Sequence, residues 1–214
     1  MRFIYTFLFI SSLTFSQKKA SKSFVFFGNE IEINTDGLDN ITIENTDSNT
    51  IEIFLLDVNL TAHDIHTIEE NETLKLSFEN SIVINEGEVF RKFITKRLER
   101  ASVLIKIPKE KRISIYGKTV GITSKSYQGD LNLYIDKGNI YLNDVQKNTE
   151  IKLFAGNIKA TVYQQNIAII SNKGNITIDE REFKKKYKED TNTPYNFVVN
   201  SINANVVLTT QKIQ

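Results

Sequence analysis

Few side chains in this chain could do chemistry. His63 and His66 are the only imidazoles in 214 residues, and cysteine is absent. They lie in Ala62-His63-Asp64-Ile65-His66. On a strand, residues three apart point to opposite faces and make no chelate; only a helical turn would bring them together. The flanking runs are strand-like, so a metal site is not expected. Neither a Gly-x-Ser-x-Gly elbow nor a Ser-His-Asp arrangement is present. Asp36-Gly37-Leu38-Asp39 has the oxygens for calcium, but the calcium-binding nonapeptide of parallel β-rolls is missing. Those aspartates read as turn formers. No catalytic, cofactor-binding or metal-ligating residue is singled out, and no cofactor is expected.

What the chain does carry is a repeat. Gly138, Gly156 and Gly174 are eighteen residues apart, each followed by Asn-Ile. Ile122, Ile140, Ile158 and Ile176 keep the same period. Ahead of the glycines stand Leu131/Leu133/Ile135, Thr149/Ile151/Leu153 and Ile167/Ile169/Ser171, and Ile113/Ile115/Gly117 supply an earlier unit. Phe197, Val199, Ser201, Ala204, Val206 and Leu208 fit the template thirty residues after the Gly174 unit, which is one period plus twelve. Alternation within each run marks strands, and glycine suits the corner between two runs because it tolerates positive φ. A fixed period means one unit stacked on itself. The expectation is an all-β fold, a parallel β-solenoid of about five rungs spaced ~4.8 Å apart and right-handed by crossover chirality. Asn139, Asn157, Asn175 and Asn205 should form an amide ladder along the corner.

Carbohydrate-active β-helices need acids clustered on one outward face. Here the outward positions two before the glycine are Asp136, Phe154, Asn172 and Ile202, and four before it stand Tyr134, Lys152, Ile170 and Asn200. No two acids stack. Tyr134, Tyr141, Phe154 and Ile170 instead offer an apolar-aromatic group that either docks against a partner or is covered by the N-terminal section.

Ile107-Pro108-Lys109, the run Ile113 to Val120 and the three Gly-Asn-Ile units together resemble the bacterial putative-adhesin domains of unknown function, relatives of the auto-transporter adhesin head (GIN) domains. The run Ile31 to Phe54 is similar to the lead-in of Bacteroidetes members. The resemblance covers most of the chain after residue 24. It implies a β-solenoid envelope protein with a role in adhesion, and brings no active-site pattern.

Residues 1–16 read as a signal peptide, with Arg2 as the positive region, an apolar Phe3 to Phe15 and a cut ahead of Gln17. The apolar run is short for a membrane span, and without cysteine a lipoprotein anchor is excluded. Residues 17–112 read as a β-rich N-terminal section or cap. Ile31/Ile33, Ile41/Ile43, Ile51/Ile53, Leu74/Leu76/Phe78 and Ile82/Ile84 alternate there between turn-rich stretches, outside the eighteen-residue phase. Residues 89–100 suit a short amphipathic helix or an extended run equally. Residues 113–214 form the solenoid, with a charged insertion near 179–196.

The net charge is +1, yet Gly28 to Asn80 holds thirteen acids against one base, and Glu86 to Arg112 nine bases against four acids. Either the blocks face each other or are simply solvated, or Arg91, Lys92, Lys96, Arg97 and Arg100 bind a polyanion. Export and the lack of a recognition motif argue against nucleic acid. Lys184-Lys185-Lys186-Tyr187-Lys188 lies inside the insertion, read as a solvated loop or a binding one. The expected function is that of a non-catalytic exported protein of the periplasm, cell surface or medium, binding a protein or glycan surface partner. The alternative is a carbohydrate-binding or carbohydrate-active β-helix protein.

Overall fold

The computed structural model describes residues 20–56, 63–80 and 101–211. The proposed leader, Ile82/Ile84, the 89–100 segment and the basic residues Arg91, Lys92, Lys96, Arg97 and Arg100 lie outside them. The described residues are all-β: fourteen strands joined in one large mixed sheet.

Four long strands carry the repeat. They are β10 (Leu131–Val145), β11 (Thr149–Tyr163), β12 (Asn166–Ile178) and β14 (Asn196–Gln211). Each has two halves on either side of the glycine position. In β10 the buried side chains are Leu131, Leu133 and Ile135, then Ile140, Leu142 and Val145. The inward phase thus slips at the corner, and both halves feed one continuous hydrophobic cluster. β10 pairs parallel with β11 at an offset of eighteen, Leu133 against Ile151 and Ile140 against Ile158.

The next layer departs from sequence order. β11 pairs with β14, and β14 with β12, so Ile158 neighbours Val206 and Val206 neighbours Ile176. Sequential stacking of Ile158 on Ile176 is therefore corrected. The twelve extra residues are not a loop but β13 (Arg181–Glu189), antiparallel to β12. The physical reason lies in charge. β14 contains no ionisable side chain, whereas β13 carries five bases and two acids in nine residues. A charged strand is tolerated at a sheet edge, and an uncharged one is favoured where both sides are covered.

At the other end β10 meets two shorter strands at once. Its first half pairs β8 (Arg112–Thr119) and its second half β9 (Gly121–Lys125). Beyond them lie β2 (Glu30–Asn34) on β8 and β3 (Leu38–Thr46) on β9, both parallel. Then come β6 (Thr73–Asn80) on β2 and β7 (Ala101–Pro108) on β3. The column Leu76, Ile33, Ile115, Leu133, Ile151, Val199, Ile169 runs through seven parallel strands. The expected five layers are thus joined by two from the N-terminal section. That section shares the columns after all, and only its spacing differs. From Ile31 to Ile41 is ten residues, where Ile113 to Ile122 is nine, and a register shift between Leu38 and Asn40 takes up the difference.

Antiparallel strands finish both ends: β4 (Thr50–Leu56) and β1 (Ala20–Val25) beyond β7, β5 (His63–Glu70) beyond β6, and β13 beyond β12. Asn71-Glu72 and Asp179-Glu180 turn two of these hairpins with positive φ at both residues, the geometry of a tight two-residue turn.

The repeat glycines have a cause other than the one expected. Gly156 alone among them has a positive φ, 145°. A Cβ at Gly138 would strike the Val120 carbonyl oxygen, at Gly156 that of Gly138, and at Gly174 that of Ala204. Close approach of successive layers at the corner excludes any side chain.

Candidate functional site

The outward face of the first strand halves holds a groove of about 520 Å³. It owes its composition to the strand order. Phe154 and Ile202 sit between the register pairs Leu153–Ser201 and Ala155–Asn203, so the insertion of β14 makes them neighbours. Ile170 joins them across Asn200, and Tyr134 closes the other side beside Lys152. Phe154 is 54% exposed, Ile170 47% and Ile202 43%. The described strands of the N-terminal section do not cover this face; they extend the stack instead.

Tyr134 is fixed by neighbours on both sides. Its ring stacks on Tyr116 with centroids 5.2 Å apart and planes at 17°. The Lys152 ammonium lies 5.0 Å over it and pairs with Glu150 at 3.0 Å. Burial, then the Glu150 carboxylate, raises the Tyr134 phenol above its ordinary value. The hydrogen bond to Glu150 holds the Lys152 ammonium above its usual range. Asp136, Asn172 and Asn200 also line the groove, and among the described residues none hydrogen-bonds their side chains. The groove thus combines apolar and aromatic surface with unspent polar groups. Asp136 is its only acid among the described residues.

Tyr141 does not belong here. It lies past the glycine corner, in a second depression of about 380 Å³ with Asp39, Asn40, Thr119, Gly121 and Asn139. Ile202 should have been included in the group instead. It occupies the right template position, but sequence order places Asn172 between it and Phe154.

The other candidate residues are placed as follows. His63 and His66 lie three apart on β5, which pairs antiparallel with β6. Among the described residues no three His, Asp or Glu come together as metal ligands. In the Asp36–Asp39 turn, Gly37 has φ 85° and the Asp36 N–H donates to Asn34 Oδ1 at 2.9 Å. The acidic and basic blocks meet through Lys106–Glu52 (3.5 Å), Lys109–Asp47 (2.8 Å) and Arg112–Glu30 (2.9 Å). Lys184, Lys185, Lys186 and Lys188 are exposed on the edge strand β13. The corner amides form their ladder in the structural order: Asn157 donates to Asn139 at 2.9 Å and Asn205 to Asn157 at 3.2 Å. The Asn175 backbone N–H donates to Asn205 Oδ1 at 3.1 Å.

No family model matches the chain, and no curated protein matches its sequence. Solved structures do. A putative cell adhesion protein from Clostridium sporogenes is 14% identical, with a TM-score of 0.54 over 92% of this chain and 100% of its own. A putative adhesin from Bacteroides fragilis is 15% identical over 92% of this chain and 98% of its own, at a TM-score of 0.33. A putative lipid binding protein from Parabacteroides distasonis is 13% identical over 93% and 98%, at 0.28. The first shares the fold; the other two superpose too loosely to bear on it.

Proposed function

We propose that this chain is an exported, non-catalytic β-solenoid that acts by presenting the groove around Phe154 to a partner at the cell envelope, in the manner of an adhesin. Parallel pairing at an offset of eighteen supports the solenoid, and crossover chirality favours the right-handed form. The leader-like first sixteen residues support export. The likeness to a cell adhesion protein's fold supports the adhesive role by analogy. A single acid in the groove supports a binding rather than a hydrolytic surface.

The observation that carries the reading is the exposed set Phe154, Ile170 and Ile202 beside Tyr134, an apolar patch of the kind that marks interaction sites. The purified protein, immobilised, should retain an envelope component from fractionated native cells. The double substitution Phe154→Asp plus Ile202→Asp should abolish that retention while leaving the circular dichroism unchanged. Equal retention by the variant overturns the reading.

A saccharide partner is the second reading, favoured by one feature. Aromatic surface beside the unpaired polar side chains of Asp136, Asn172 and Asn200 suits a sugar, which offers a C–H face and a hydroxyl edge. A glycan array separates the two: saccharide binding lost on Tyr134→Ala plus Phe154→Ala supports it, and an array without signal removes it.

A further inference from the structure

Past Ile170 the outward face of the groove runs on to the edge strand β13. Lys186 is the register partner of Ile170, and Lys188 that of Ala168. Between them Tyr187 sits opposite the buried Ile169, packed against the core, with its ring 4.6 Å from that of Phe183. This anchorage holds both lysines on the groove side, where they are exposed. Lys184 and Lys185 follow at the corner, Lys185 with a φ of 64° where the register shifts between Ile170 and Asn175. Among the described residues none of these four ammonium groups has an ion pair, whereas Lys106, Lys109, Lys125 and Lys152 are all paired. Shielding an open edge accounts for charge on β13. It does not account for unpaired cations set against exposed apolar side chains.

Alternate side chains of a sheet stand at nearly one height. The neighbouring strands β11, β14, β12 and β13 therefore present Phe154, Ile202, Ile170 and Lys186 as one flat strip. Its acids are distant or engaged. Asp136 is on β10, four strands from β13, or ~19 Å at ~4.8 Å per strand. Glu150 pairs with Lys152 at 3.0 Å. On β13 itself, Glu189 accepts from the Tyr187 hydroxyl at 2.6 Å, and Glu182 lies past the corner opposite Thr177. The Tyr134 ring is already in contact with Tyr116 from one neighbouring strand and Lys152 from the other. The apolar surface left free is that of one phenyl and two isoleucine side chains, which suits hydrocarbon better than a sugar ring.

We infer that this strip docks on an anionic phospholipid bilayer. Phe154, Ile170 and Ile202 enter the boundary between headgroups and acyl chains, the depth at which apolar faces of surface-bound elements settle. Lys186 and Lys188 lay their stems along the apolar surface and keep their ammonium groups at the phosphates. Each lysine near such a surface strengthens binding by about fivefold. The inference rests on the reading of the groove as the interacting face, and it names the partner.

The test is cosedimentation of the purified protein with extruded vesicles of equal parts phosphatidylcholine and phosphatidylglycerol. Binding to these is expected, falling as salt is raised and much weaker to vesicles of phosphatidylcholine alone. The double substitution Lys186→Gln plus Lys188→Gln, at exposed positions, should weaken it on the order of twentyfold. No tryptophan occurs in the chain, so Phe154→Trp adds a single fluorophore whose emission should shift to the blue on binding. Three results each overturn the inference: equal binding to phosphatidylcholine alone, unchanged affinity in the double lysine variant, or the same blue shift with soluble polygalacturonate in place of vesicles, which would make an acidic glycan the occupant. Absence of vesicle binding overturns it too. Retention of an envelope protein that is lost in Phe154→Asp plus Ile202→Asp would in that case still uphold the groove as the interacting face.

Discussion

Gly156→Ala should be among the most damaging single-methyl additions this fold can suffer. The new Cβ would be driven onto the Gly138 carbonyl oxygen, with the Gly138 carbonyl carbon and nitrogen close behind. These are backbone atoms held in register on both sides, since Gly138 pairs with Gly156 and Gly156 with Ala204. Neither layer can yield alone. Overpacking of this kind costs about 1–3 kcal/mol, and alanine at a φ of 145° adds a further ~1–3 kcal/mol of backbone strain. Reduced freedom of the unfolded chain returns about 0.4–1 kcal/mol. The net loss should therefore be roughly 1–5.5 kcal/mol.

Two comparisons isolate the cause. Gly138→Ala meets the Val120 carbonyl without a positive φ, so it should cost about 1–3 kcal/mol. Gly121→Ala meets chiefly the end of the Asn40 side chain, which can swing away, and should stay within about 1 kcal/mol of the parent. Urea unfolding followed by circular dichroism measures all three. With a slope near ~3 kcal/mol per molar for a chain this size, Gly156→Ala should lower the midpoint by about 1 M. A midpoint for Gly156→Ala no lower than that of Gly121→Ala would refute the claim that carbonyl-over-glycine contact sets the corner.

Other consequences can be checked with the same assay. Ser171 and Ser201 are register partners with opposite prospects. Ser171 Oγ donates to the Ala204 carbonyl at 2.6 Å and accepts from the Gly174 N–H at 3.2 Å, so Ser171→Ala should lose about 1–3 kcal/mol. The buried Ser201 Oγ has no partner, so Ser201→Ala should be neutral or gain up to about 1 kcal/mol. Asn157→Ala breaks two amide bonds of the exposed ladder and should cost about 1 kcal/mol, more than Asn139→Ala, which breaks one. Burial pushes the Tyr127 phenol far above 10, and its O–H donates to the Lys111 carbonyl at 2.8 Å. That stability is fully present below pH 10 and falls as pH rises beyond it, by about 1.4 kcal/mol per unit, because only the unfolded chain then ionises. The difference between parent and Tyr127→Phe in unfolding free energy should shrink with that slope above pH 10; a constant difference would remove Tyr127 from the account.

Column membership was legible in the repeat because identical units must present identical side chains to the core. Ile140, Ile158, Ile176 and Val206 all end in one column, as their common phase requires. Two further layers escaped notice because loops of different length deliver them. Ile31 and Ile41 stand ten apart, not nine, and β6 and β7 are separated by a long stretch of chain. A period detects equal spacing along the chain, whereas stacking demands only equal position in space. The groove was half legible for the same reason. Tyr134, Phe154 and Ile170 were visible as outward positions, but Ile202 became a neighbour of Phe154 only once the strand order was known.

Order is what a repeat leaves undetermined, and here charge decides it. Any of the equivalent units could sit on any other as far as the inward aliphatics are concerned. They differ in what their outer edge would meet. Had β12 stacked directly on β11, β13 or β14 would have been the next strand out, and the uncharged Val206, Val207 and Leu208 run would have stood at or near an open edge. Such an edge is a template for pairing with other chains. Placing β14 between β11 and β12 satisfies both of its edges and leaves the lysine-rich β13 outermost. The same move brings Ile202 beside Phe154. The groove is therefore a product of one intercalated strand. Reordering the chain so that β14 follows β11 directly should preserve the groove, whereas deleting β14 should abolish it.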